Sequence, residues 1–117
     1  MQDLNTLKHE FISASKGLSD LSNSQEDLDM YADMLTRSYN TIKTQIQDIS
    51  QLEKFYEELL HHEDRSVKFS AATECIRLNI HRDFALALIW EIEEDPKSGI
   101  LGFEAKLFLD IMNQETI

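Results

Sequence analysis

A chain of 117 residues, 42% of them hydrophobic, is long enough to bury one core, which predicts a single domain. Its 3 glycines and 1 proline leave too little punctuation for a β-sandwich, and 28% charged residues beside so many apolar ones exclude a disordered chain. The 22 acidic against 11 basic residues give a net charge of −11, a field that disfavours nucleic acid and anionic membranes and attracts a basic partner.

The first segment places Leu4, Leu7, Phe11, Ala14, Leu18 and Leu21 at steps of three and four. That spacing predicts an amphipathic helix from about Asp3 to Leu21 with a heptad-like seam. Gly17 inside it costs about 1 kcal/mol relative to alanine. Ser22-Asn23-Ser24 is the turn, and Ser24 caps the next helix, with Asp27 near the positive end of its dipole. Leu28, Tyr31, Leu35, Tyr39, Ile42, Ile46 and Ile49 continue the same spacing, so a second helix spans about Gln25 to Gln47 and packs antiparallel to the first. Neither seam lasts the four or so heptads of a coiled-coil arm; the pair reads as a cap on the helices C-terminal to it.

Ser50-Gln51-Leu52-Glu53 has the form of a capping box, which predicts a third helix from Gln51 to about Leu60 and an end to the second near Asp48. His61-His62-Glu63 breaks it, and Asp64 is the expected cap of a fourth helix bearing Val67, Ala71, Ala72, Cys75, Ile76 and Ile80. Asp83 is the expected cap of a fifth, Phe84 to Glu94, which Asp95-Pro96 stops because proline excludes the residue before it from the helical region. Ser98-Gly99 opens a sixth, Ile100 to about Met112.

The single Cys75 cannot form an internal disulfide and falls within an apolar helical pattern, as a small core residue does. Met1-Gln2-Asp3-Leu4 lacks the basic start of a secretory leader, and the longest apolar run, Phe84 to Trp90, is too short to span a bilayer. A soluble, cytoplasmic protein is expected.

From Leu52 to Met112 the apolar pattern repeats with a shift of 33 residues. Leu52 falls on Ala85, Phe55 on Leu88, Tyr56 on Ile89, Leu59 on Ile92, Val67 on Ile100, Ala72 on Ala105, Cys75 on Phe108 and Ile76 on Leu109. Three stretches within this region form a signature: Asp64-Arg65-Ser66-Val67-Lys68-Phe69-Ser70-Ala71-Ala72, then Phe84-Ala85-Leu86-Ala87-Leu88, then Gly99-Ile100-Leu101-Gly102-Phe103-Glu104-Ala105. It resembles HEAT-type helical repeats and, more narrowly, the bacterial family known as domain of unknown function 2019. The pattern departs from HEAT repeats at Lys68, where an arginine usually follows the valine, and in the greater length of the N-terminal pair. The resemblance implies an all-α chain folded as an α-α superhelix of about six helices. In this reading a long N-terminal hairpin over 1–48 precedes two HEAT-like hairpins over 49–117, all in one domain. It also implies a protein without catalytic machinery, of the kind associated with immunity to bacterial toxins.

If the two repeats stack in register, the turns after the third and fifth helices share an edge, about 10 Å apart as packed helices are. Glu57, Glu58, Glu63 and Asp64 then stand beside Glu91, Glu93, Glu94 and Asp95. Several of these carboxylates fall at helix C-termini, where the dipole disfavours them by about 0.3 to 1 kcal/mol each. Local helix stability is therefore not their reason; either solvent screens them or they attract something outside the chain. Residues 1–47 carry seven acids and four bases, whereas residues 48–117 carry fifteen and seven, so the repeats hold most of the field. Trp90 and Phe103 are the candidate aromatic anchors, although aromatics at helical spacing are more often core.

Glu58 and His61 have the spacing of half a di-iron motif, but no second Glu-x-x-His exists in the chain. His61 and His62 read as solvated turn residues, and His81 as a cap on helix carbonyls. No phosphate loop, nucleophile elbow or paired-cysteine motif is present. The expectation is a non-enzymatic immunity protein that takes no cofactor or metal and is a monomer or weak dimer by itself. It would bind a basic toxin domain, foremost a nuclease, through Glu57, Glu58, Glu63, Asp64, Trp90, Glu91, Glu93, Glu94 and Asp95. The alternative is a HEAT-type adaptor or scaffold with another protein partner.

Overall fold

The computed structural model describes residues 3–20 and 22–115. Among them the chain is all-α, with six α-helices, one short 3-10 turn and no strand. Leu21, the last position of the first predicted seam, lies outside the described residues, as do Met1, Gln2, Thr116 and Ile117. Among the described residues no helix is long and apolar enough to cross a membrane. The helices fall into two compact units, one ending at Leu59 and the other beginning at Leu60.

The first unit contains α1 (Leu4–Ser19), α2 (Gln25–Gln45) and nearly all of α3 (Ile49–Leu60). A side-chain oxygen accepts from one or two of the free N–H groups at each start. Asp3 accepts from Asn5 N at 3.3 Å and Ser24 Oγ from Asp27 N at 3.1 Å. At α3 the predicted capping box does not set the start. Asp48 accepts from the backbone N–H of Ser50 at 2.8 Å and of Gln51 at 3.3 Å, so the helix begins at Ile49, two residues before the predicted Gln51. A carboxylate already in place at Asp48 outcompetes the hydroxyl two positions on, and α2 accordingly stops at Gln45 rather than Gln47.

Helices α1 and α2 run antiparallel, because moving back along α1 from Gly17 to Phe11 moves forward along α2 from Tyr31 to Tyr39. The Phe11 ring meets Tyr39 edge-on at 5.6 Å and Tyr56 of α3 at 6.0 Å, and Tyr56 meets Phe55 at 5.5 Å. Each such pair adds about 0.5 to 1.5 kcal/mol beyond its buried area. Leu7, Ala14, Leu35 and Ile42 are buried in the same unit. Lys8 crosses from α1 to α3, pairing with Glu58 and standing 5.8 Å over the Phe55 ring. Gly17 lies flat against Tyr31: a Cβ there would sit 2.5 Å from the Tyr31 Cγ and Cδ2 atoms. The glycine that weakens α1 by propensity is what lets α2 come this close.

In the second unit α4 (Arg65–Leu78), α5 (Arg82–Glu94) and α6 (Ile100–Glu115) follow in order, with the 3-10 turn Pro96–Ser98 before α6. Asp64 caps α4 as predicted, accepting from Ser66 N at 2.9 Å and Val67 N at 3.3 Å, and its own N–H donates to His62 Nδ1 at 3.0 Å. Helix α4 is buried nearly all round: Ser66, Val67, Ser70, Ala71, Ala72, Thr73, Glu74, Cys75 and Ile76 are all inside. Most of these are small, which lets neighbouring helices approach closely. Thr73 Oγ1 donates to the Ser70 carbonyl at 3.0 Å, satisfying its hydroxyl within the helix.

Helix α4 ends in a Schellman turn. Asn79 takes the left-handed conformation at φ 58, its N–H donates to the Ile76 carbonyl at 3.2 Å, and Ile80 N donates to the Cys75 carbonyl at 2.9 Å. The carbonyl capping expected of His81 is thus done by the backbone of Asn79 and Ile80. His81 itself has φ 46 and stands at the N-cap of α5 without a side-chain cap bond, so Asp83 lies inside the first turn of α5 rather than before it. Asp95 ends α5 as predicted, and its carboxylate accepts from Lys97 N at 2.9 Å to start the 3-10 turn. Gly99, at φ 59 and ψ −128, a conformation that L side chains rarely adopt, accepts from Gly102 N at 3.1 Å to open α6. Helix α6 runs three residues beyond the expected Met112.

Two stability predictions arise here. Gly17→Ala should lower the denaturation midpoint, because overpacking costs about 1 to 3 kcal/mol against a propensity gain near 1. In a Tyr31→Ala background the same change should become stabilising, and a failure to change sign in urea melts would disprove the close-approach account. At α3, Asp48→Ala should cost about 1 kcal/mol and Ser50→Ala only a few tenths, also read from urea midpoints.

Candidate protein-binding surface

Helix α5 buries Ala85, Leu88, Ile89 and Ile92 on one side. Steps of four, three, one and three residues carry the opposite side past Asp83, Ala87, Trp90, Glu91 and Glu94, all exposed. Trp90 keeps 52% of its surface open to solvent. The face is an acidic strip with a small residue beside a large aromatic one, and its last turn contains no basic residue. Carboxylates there work against the helix dipole.

The structure sorts the predicted residues by what holds them. Glu57 and Glu58 lie on α3 in the first unit, Glu57 exposed and Glu58 paired with Lys8. In the second unit Glu63 is exposed in the turn before α4, while Asp64 is occupied as the cap of that helix. Asp95 is engaged by Arg65, whose Nη2 donates to its Oδ2 at 2.5 Å, and by Lys97 N. That ion pair brings the start of α4 to the end of α5. It also removes Asp95 from the charges a partner would meet. Glu93 is half-buried at the edge of α5, leaving Trp90, Glu91 and Glu94 together on the open face.

The tendency of helical aromatics to be core fails at both candidate anchors, since Phe103 on α6 is 63% exposed. Asp83 and Ala87 belong to the α5 face but do not stand out in the sequence. Their spacing fits the face; taking Asp83 as a cap places it outside the helix and hides its register.

Among the described residues no group of three or more His, Cys, Asp or Glu side chains could hold a metal ion. His61 faces the Phe84 ring at 5.1 Å. Cys75 is fully buried, and burial, helped by the charge of neighbouring Glu74, pushes its thiol from 9.0 up to about 12. A thiol so held is not a nucleophile at neutral pH.

Comparison with known proteins returns no matching family model, and no curated protein or solved structure matches the chain.

The burial of Cys75 is directly testable. The folded protein should leave an aromatic disulfide thiol reagent unreacted at neutral pH, and one thiol should react once urea unfolds the chain. A pKa raised on folding stabilises the fold below 9.0, and that contribution is lost as pH rises toward 12. Reaction of the native protein at the unfolded rate would show that the thiol is open.

Proposed function

We propose that this chain acts by binding a protein, with the outward face of α5 as the contact surface. In its most specific form the reading is a bacterial immunity protein of HEAT-like helical repeats. It neutralises a basic toxin domain, foremost a nuclease, by covering the groove that would hold nucleic acid. The observation that carries it is Trp90, 52% exposed among Asp83, Glu91 and Glu94. A large exposed aromatic is suited to anchor a stable interface, and Glu91 and Glu94 beside it disfavour the helix end they sit on. Together they have a reason outside the folded chain.

The division of labour follows from physical chemistry. Glu91 and Glu94 speed encounter with a basic surface through long-range attraction, which salt weakens. Trp90 then holds the complex through desolvated contact, with Ala87 leaving room beside it for a partner side chain. Inhibition by occlusion needs no chemistry from this chain.

The test is co-expression with the C-terminal domain of a large secreted protein sought in the reading frame immediately upstream, followed by stopped-flow association at several salt concentrations. A stoichiometric complex is expected. Glu91→Lys with Glu94→Lys should slow association about tenfold and flatten its salt dependence. Trp90→Ala should raise the dissociation rate and cost about 2 kcal/mol of affinity. Unchanged salt dependence would remove this face from the interface, and a tight complex with an unrelated basic protein in place of the toxin would favour the adaptor.

A further inference from the structure

Helix α6 has a second apolar side. Ala105 and Leu109 face inward and are buried, whereas Ile100, Phe103, Leu107 and Ile111 are 53%, 63%, 45% and 55% exposed. Those four recur at steps of three and four residues, so on a helix turning about 100° per residue they form one continuous stripe opposite the core side. Glu104 borders the stripe just beyond Ile111 in angle, and Asp110 borders it just beyond Phe103. Each edge thus carries an acid next to the stripe, with exposed Lys106 one turn before Asp110 and farther from the stripe.

We infer that this stripe is a docking surface for an amphipathic partner helix that carries lysine or arginine on both sides of its apolar face. The inference is separate from the α5 reading, since it uses a different helix and different side chains. Charge decides the occupant. A second copy laid antiparallel on the stripe would bring Glu104 and Asp110 against acids of its twin, in a chain whose net charge is −11. The stripe consists of four side chains on one helix, against the roughly 20 to 30 residues a side of a standard interface, and so suits one helix rather than a broad dimer contact. An anionic lipid surface meets the same acidic edges as a repulsion. No cation of the described residues pairs with Glu104, and partial burial already pushes its carboxyl above the usual range. A basic side chain on the partner would supply the missing counter-charge.

The probe is a fluorescein-labelled synthetic peptide of about 16 residues, with leucine on one helical face and lysine on the other. A leucine and glutamate peptide of the same pattern is the control. Anisotropy titrations use the full chain in about 0.15 M salt. The lysine peptide should bind and the glutamate peptide should not. Leu107→Asp and, independently, Ile111→Asp should each weaken binding about tenfold or more, with thermal melts unchanged because both side chains are half open. Glu104→Lys with Asp110→Lys should shift preference to the glutamate peptide, while Glu91→Lys with Glu94→Lys on α5 should alter affinity less than about threefold.

Equal binding by wild type and Leu107→Asp would overturn the inference. So would a dimer that Leu107→Asp dissolves, or binding to phosphatidylcholine vesicles lost in the same variant. A fall in melting temperature in both aspartate variants would overturn it too, by showing the stripe to be covered within the chain.

Discussion

Helix α4 is made of side chains small enough for its neighbours to close over it. Ser70 to Ile76 form one continuous buried run, and Ser66 and Val67 complete the inside. A helix buried on most of its circumference has no face to offer a partner. In the second unit that role passes to α5, which packs on α4, and to α6, which packs on α5. The open strip around Trp90 and the open stripe around Leu107 are what is left after α4 has been covered.

The first unit solves its packing differently. There the buried side chains are large and aromatic, and one close approach makes room for them. Gly17 lets Tyr31 lie against the α1 backbone, and a few turns along Phe11 reaches Tyr39 and Tyr56. A side chain at Gly17 would wedge the helices apart where the aromatic rings need them together. Helix propensity and packing pull in opposite directions at this residue, and packing is the larger effect.

At the C-terminal ends of α3 and α5 the surface charge works against the helix that carries it. The last turn of α5 contains Glu91, Glu93 and Glu94 and no base, and the last turn of α3 contains Glu57 and Glu58 and no base. Lys8 answers Glu58 and Arg65 answers Asp95, so the chain neutralises some of this charge internally. Glu57 stays open on α3, and the acids left open on α5, Glu91 and Glu94, stand beside Trp90. Selection for solubility explains acidity in general but not a large indole in its midst.

Much of the architecture was legible in the residues alone. Six runs of apolar side chains at steps of three and four became six helices, and Ser24, Asp64 and Asp95-Pro96 marked boundaries where they were expected. These features are local: a helix period and a cap involve residues within one or two turns. Where two residues competed for one local role, the pattern did not decide. Asp48 caps α3 in place of Ser50, and His81 stands where Asp83 was expected, because backbone geometry selects the cap and residue type only permits it. Exposure was legible only in part: the seam residues Leu7, Phe11, Ala14 and Ile42 and the core cysteine Cys75 are buried as their spacing suggested, but the open apolar side chains of α5 and α6 were not. Leu88 and Trp90 sit on the same helix two residues apart, one buried and one open. Ile111 and Leu109 differ in the same way on α6. Which side of a hydrophobic helix is covered depends on helices distant in the chain, so the sequence determined the helices and their acidity. Only their packing decided that Trp90, Phe103 and Leu107 face solvent.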